Sequence, residues 1–224
     1  MDGMDRADAV GRPRGLVDLR GRHDAPAVLA YPAGAVVVVS GLPGSGKSTL
    51  MRRWSDAAAT VDPRVVHERC AAVMPDRLPY GVYRPWARLE HARWLRAEVR
   101  QGRPVLVHDC GSRPWVRRWL ARTAARQGRE LHMVLLDVGV AGALAGQEAR
   151  NRRARPRVFA RHRRGLDHLL RSLTLHARSG AAAPDPVPEA ASVVLLDQVS
   201  RERVRAVEFG AEAASAPYGR TAAA

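Results

Sequence analysis

Lysine is almost absent from this chain. Of 37 basic residues, 36 are arginine and one, Lys47, is lysine. Cysteine is nearly absent as well. Two residues, Cys70 and Cys110, cannot build a disulfide framework, and the expectation is a cytoplasmic protein with free thiols. Aromatic residues make up 5% of the chain, whereas hydrophobic residues reach 46%, ample for one core. No run of about eighteen apolar residues occurs, which excludes a helical membrane span. The segment Met1-Asp2-Gly3-Met4-Asp5-Arg6 lacks the charged-then-apolar layout of a secretory signal.

What is present centres on the solitary lysine. Gly41-Leu42-Pro43-Gly44-Ser45-Gly46-Lys47-Ser48 matches G-x-x-x-x-G-K-[ST], the phosphate-binding P-loop. Arginine is a broad planar fork and lysine a narrow point charge on a flexible stem. A loop wrapped tightly round a phosphate admits the second and not the first, so this is where arginine could not replace lysine. The flanks agree. Ala35-Val36-Val37-Val38-Val39-Ser40 reads as a buried parallel strand, and Ser48 to Trp54 as a helix starting inside the motif. Strand, glycine loop and helix form the context that the motif requires. Gly41, Gly44 and Gly46 free the backbone to curl its N–H groups inward as an anion nest. The helix N-terminus adds partial positive charge. On this reading Lys47 reaches the β- and γ-phosphates and Ser48 holds Mg²⁺. Thr49 is a further phosphate contact.

The formal net charge is +15. Such a balance suits a polyanionic partner, nucleic acid or a phosphorylated substrate. General arginine enrichment produces the same charge with no partner, so nucleic acid stays open but not favoured.

Along the chain, residues 1–24 mix Asp, Arg and Gly without period and read as a mobile tail. Pro26 to Tyr31 is a short strand. Arg64-Val65-Val66-His67-Glu68, after Asp62-Pro63, reads as the second strand of the core, and Pro85 to Arg100 as a helix. Pro104 to Asp109 is a buried strand ending in an acid. Ser112 caps a helix from Trp115 to Gln127, Leu131 to Asp137 is another strand, and Ala190 to Asp197 is the last. Ser200 to Phe209 reads as helical, and residues 210–224 as a disordered tail. Alternating strands and helices at this spacing give an α/β fold with a mostly parallel sheet, in one domain over residues 25–209.

Ligands sit at the carboxyl ends of strands in such sheets. Asp109, Asp137 and Asp197 all fall there. Asp109 is the best Mg²⁺ ligand or proton acceptor, and Asp197-Gln198 lies near the nucleotide base. Residues 146–164 hold eight arginines, namely Arg150, Arg152, Arg153, Arg155, Arg157, Arg161, Arg163 and Arg164. The reading is a lid that brings guanidinium groups, Arg152 and Arg155 among them, onto charge developing in transfer. A solvated helix face and a nucleic-acid contact strip are the competing readings.

Gly41 to Thr49, Val107-His108-Asp109-Cys110-Gly111-Ser112-Arg113, and Gly146-Gln147 leading into Arg150-Asn151-Arg152 together carry a likeness. The chain resembles the P-loop kinase group that includes zeta toxins, polynucleotide 5′-kinases and chloramphenicol phosphotransferase. It looks closest to the actinobacterial "AAA family ATPase" proteins of that group. The resemblance implies a P-loop NTPase three-layer sandwich with a five-stranded core, ATP as donor, and lid arginines near Arg150, Arg152, Arg155 and Arg157. It also implies a catalytic aspartate just after the second strand. Here that place reads Val66-His67-Glu68-Arg69-Cys70, where no aspartate stands, and Glu68 or Asp109 takes the role.

The leading expectation is therefore an ATP-dependent phosphotransferase whose acceptor is unidentified. A nucleotide-binding regulator or slow ATPase, and a basic nucleic-acid-binding ATPase, are the alternatives.

Overall fold

The computed structural model describes residues 10–75, 77–109, 114–151, 153–179 and 184–210. Nine strands and seven helices occur among them. Strand β4 (Val36–Gly41) is wholly buried and lies at the centre of a six-stranded sheet of order β2-β8-β7-β4-β6-β5. The others are β2 (Gly15–Asp18), β5 (Ala59–Val61), β6 (Val105–His108), β7 (Leu131–Leu136) and β8 (Ser192–Leu196). All neighbours in this sheet run parallel. Strands β1 (Val10–Gly11), β3 (Val28–Tyr31) and β9 (Ala206–Phe209) form a separate parallel sheet.

The period-two alternation of β4 sends its valines to opposite faces. Val37 and Val39 pack with Leu50, Met51 and Trp54 of α1 (Lys47–Arg53 and its C-cap), and with Leu29 and Tyr31 of β3. Val36 and Val38 pack with Leu95 and Val99 of α3 (Tyr80–Arg100) and Leu120 of α4 (Pro114–Ala125). Farther along that face, Leu166, Leu169 and Leu173 of α6 (Pro156–Ser179) meet Met133, Leu135, Val193 and Leu195. The α/β three-layer arrangement is thus present, with six strands in the main sheet rather than five.

Three local expectations are corrected. Residues 10–18, expected in a mobile tail, supply β1 and β2, and β2 pairs with β8 through four registered residues. Arg64 to Glu68 is not a strand but part of α2 (Pro63–Val73). The Asp62 side chain caps this helix by accepting from Arg64 N, and Pro63 fixes the first helical φ. Val66 and Cys70, one turn apart, bury against Ala87 of α3. The second core strand is the three-residue β5 before it. The final helix, α7 (Gln198–Arg203), stops at Val204, and the chain then returns as β9. Among the described residues no helix is long and apolar enough to cross a membrane. The expected N-cap Ser112, the thiol of Cys110 and the C-terminal tail lie outside the described residues, save Gly210.

Candidate active site

The loop from β4 to α1 bends through three glycines with positive φ, Gly41 at 149°, Gly44 at 93° and Gly46 at 90°. All three meet neighbours as well as the backbone-angle requirement, and a Cβ on Gly41 would overlap the Leu136 carbonyl. A Cβ on Gly44 would overlap the Ala143 carbonyl of α5 (Gly139–Glu148), and one on Gly46 would strike the Arg201 guanidinium. Gly146 of α5 is the matching concession, since a Cβ there would hit the Gly44 carbonyl. Bare backbone therefore meets bare backbone, and α5 sits directly on the loop. Gln147 fastens the contact. Its Nε2 donates to Pro43 O at 3.0 Å, and its Oε1 accepts from Ala154 N at 2.6 Å. Arg201 Nη1 donates to Ser45 O at 2.8 Å.

Lys47 is 4% exposed, and its Nζ donates to Gly41 O and Leu42 O, both at 2.8 Å. Ser48 Oγ donates to Asp62 Oδ2 at 3.3 Å. The other oxygen of Asp62 caps α2 and lies 3.9 Å from His108 Nδ1. Burial, reinforced by the Lys47 ammonium, pushes His108 down to about 4 against the opposing pull of Asp62 and Asp109. The imidazole is therefore neutral near pH 7. Asp109 follows the last registered pair of β4 and β6, Val39 with His108, and its N–H donates to Val39 O at 3.0 Å. Lys47, Ser48, Asp62, His108 and Asp109 thus converge at one end of the sheet.

Asp137 and Asp197 do not join them. Arg20 Nη1 donates to Asp137 at 2.8 Å while also gripping Asp18. The hydrogen bond to Asp18, and then that to Asp137, raise the guanidinium pKa above its usual value. Asp197 forms a capping box with Ser200 and accepts from Gly21 N at 2.7 Å. Burial alone would raise its carboxyl, but the amides of Ser200 and Gly21 hold it below the ordinary value. Both acids tie the N-terminal segment and α7 to the sheet. Gln198 lies beside Gly44 and Gly46 of the P-loop. It lines a cavity of about 650 Å³ together with Thr49, Arg53, Gly142, Arg150 and Arg201. That size suits a small organic ligand.

The arginine-rich segment is not one element. Residues 146–148 end α5, 149–151 and 153–155 are not helical, Asn151 has φ 48°, and Arg157, Arg161, Arg163 and Arg164 lie on α6. Arg150 Nη2 donates to Thr49 Oγ1 at 2.7 Å, Arg153 pairs with Glu148, and Arg155 is exposed. Arg152 lies outside the described residues. Glu68 is also exposed, and Arg64 holds it at 2.7 Å.

Asp62 and Arg201 were not among the sequence candidates. Asp62-Pro63 carried a usable signal, because an acid followed by proline starts a helix better than it starts a strand. Arg201 carried none, since its partner is 156 residues away in the chain.

The residues suit a polyphosphate and its cation. The loop presents a positive-φ nest, and Ser45 Oγ is buried with no partner among the described residues. Ser48, Asp62 and Asp109 offer hard oxygen donors. Among the described residues no group of three His, Cys, Asp or Glu side chains could hold a metal by itself. Mg²⁺ takes one or two carboxylates and completes its shell with phosphate and water, a donor set that Asp62 and Asp109 match.

A family model described as an AAA domain matches residues 36–176. No curated protein matches the chain. Similar solved structures include a gluconokinase from Sinorhizobium meliloti 1021, with 18% identity over 78% of this chain and 91% of that one, at a TM-score of 0.46. A sugar kinase from Janibacter sp. HTCC2649 is 21% identical over 76% and 90%, at 0.41. The APS kinase of Mycobacterium tuberculosis is 18% identical over 77% and 95%, at 0.41. At these scores the likenesses support nothing about chemistry.

Proposed function

This chain belongs to the AAA-domain family, a family of P-loop nucleotide-binding proteins, and from that premise we propose that it is an ATP-dependent phosphotransferase acting on a hydroxyl acceptor. One observation carries the reading. The Asp62 carboxylate stands 3.3 Å from Ser48 Oγ, at the mouth of the loop that buries Lys47. A base is thereby held beside the place where a terminal phosphoryl group would lie.

The chemistry needs positioning and charge more than covalent help. Loop amides from Gly41, Leu42, Gly44, Ser45 and Gly46 cradle the phosphates, Pro43 shapes the turn without donating, and Thr49 adds a hydroxyl. Lys47 Nζ exchanges its two carbonyl partners for phosphate oxygens. Asp62 takes the acceptor's proton as the acceptor oxygen bonds to the γ-phosphorus. The bond from that phosphorus to the bridging oxygen breaks, and ADP leaves. Ser48 and Asp109 would hold Mg²⁺, which when bound neutralises phosphate charge. Neutral His108 packs beside Asp62 without adding a second cation to the ammonium of Lys47. Arg150 and Arg155, with Arg152 beside them in sequence, close over the transferring group. Glu68, exposed and paired with Arg64, is a poorer base than Asp62.

The test is transfer of labelled γ-phosphate from ATP into a metabolite extract. The expected result is a labelled product that Asp62→Asn abolishes. Release of inorganic phosphate alone, or transfer that Asp62→Asn leaves intact, would overturn the reading.

A further inference from the structure

Helix α6 has 24 residues and a single acid, Asp167, which pairs with Arg163 at 3.5 Å. Its apolar residues Leu166, Leu169 and Leu173 are buried against β7 and β8. On the opposite side Arg157, Arg161, Arg164, His168, Arg171 and Arg178 are all exposed. At 100° per residue these six fall within a sector of about 100°, and at 1.5 Å rise the row runs about 30 Å. Among the described residues none of its five arginines has a carboxylate within ion-pair distance. Arg64, Arg93 and Arg103, exposed elsewhere, do have one, whereas exposed Arg96, Arg118 and Arg122 do not among the described residues, so what marks α6 is the length and alignment of its row.

Composition alone accounts for many arginines. It does not account for a single-file row with its counter-charges left out. Guanidinium groups spaced about 5 to 10 Å apart along a rigid rod can each meet a phosphate of an extended chain. The row does not suit a membrane, because the apolar side that would have to insert is already spent on the core.

We propose that the outward face of α6 binds single-stranded nucleic acid through its phosphates. The row begins at Arg157, two residues after Arg155 of the loop beside the P-loop, and leads away from it. The surface is independent of phosphoryl transfer and of nucleotide binding.

The experiment measures binding of a fluorescently labelled twenty-nucleotide oligothymidine to the full chain by anisotropy, from 50 to 200 mM NaCl. With about five phosphates neutralised, affinity should fall about a hundredfold over that range. The variant Arg161→Gln, Arg164→Gln, Arg171→Gln, Arg178→Gln should flatten most of that dependence. A charge-matched variant, Arg96→Gln, Arg118→Gln, Arg122→Gln, Arg126→Gln, on exposed positions of α3, α4 and the turn after α4, should keep it. Circular dichroism and ATP calorimetry should be unchanged in the α6 variant, which excludes misfolding. Lys47→Ala should bind the oligonucleotide normally, which separates this proposal from the nucleotide reading. No binding at 50 mM salt, an equal loss in the charge-matched variant, or equal binding to polyglutamate or phosphatidylserine vesicles would overturn it.

Discussion

Beyond Asp18 of the edge strand β2, four aspartates stand at the carboxyl ends of strands in one sheet, yet the two halves of that edge treat them differently. On β7 and β8, Asp137 and Asp197 are taken by Arg20, by the amide of Gly21 and by Ser200. On β6 and β5, Asp109 and Asp62 flank the P-loop, and Asp62 turns one oxygen toward Ser48. Location in the sheet is the same in each case. The neighbours decide whether a carboxylate is a fastening or a reagent. The N-terminal segment makes the division, because its Arg20 and Gly21 occupy the two acids that the site does not use.

Substitution can break this comparison. The largest effect should come from Asp62→Asn, which keeps shape and removes the base. Transfer should fall about 10²- to 10⁴-fold with ATP affinity kept within a fewfold. A deeper loss from Asp197→Ala, with stability unchanged, would mean that the two halves are assigned the wrong way round.

A second test contrasts the site with the opposite end of the sheet. His132 is fully buried there, hydrogen-bonded to Ser192 at 2.8 Å and packed on Tyr31, with Glu130 at 3.3 Å and Arg14 beyond it. Burial pushes its imidazole down to about 4 despite the carboxylate. The unfolded chain protonates first as pH falls, so stability is full above about 6.5 and is lost as pH falls toward 4. Urea unfolding at pH 8 and pH 5 should differ by about 2 kcal/mol through this group, and His132→Asn should remove that share while leaving the like share of buried His108. An unchanged slope would contradict a neutral buried imidazole.

Smaller effects belong to the fastenings. Asp197→Ala should cost about 1–2 kcal/mol of stability by removing a cap, measured by urea unfolding. Asp137→Ala should cost less, about 0.5 kcal/mol, because its ion pair is partly solvated. Neither should alter transfer once the folded fraction is matched.

Much of the architecture was readable in advance wherever the chain commits to it locally. Val36 to Val39, Val105 to Val107, Met133 to Leu136 and Val193 to Leu196 are unbroken apolar runs, and each lies in a buried strand. The loop glycines and Lys47 were legible because the phosphate cradle restricts residue type at every step. β5 was not, because three residues on a sheet edge carry almost no periodicity. Val65-Val66 beside it looked like a better strand, yet Asp62 and Pro63 commit those residues to a helix. That one misplacement hid Asp62. β1, β2 and β9 escaped for a related reason. They are two to four residues long and gain their stability from partners distant in sequence, β2 from β8 and β9 from β3. The contact of Arg201 with Ser45 depends on the return of α7 to the P-loop, which no local pattern encodes.

The most direct measurement is a calorimetric titration of the full chain with ATP in the presence of Mg²⁺, repeated with Lys47→Ala. The account predicts saturable binding below millimolar ATP and a loss of about ten- to a hundredfold when the ammonium is removed. Absence of any ATP or GTP binding at millimolar concentration, or equal binding by Lys47→Ala, would contradict it.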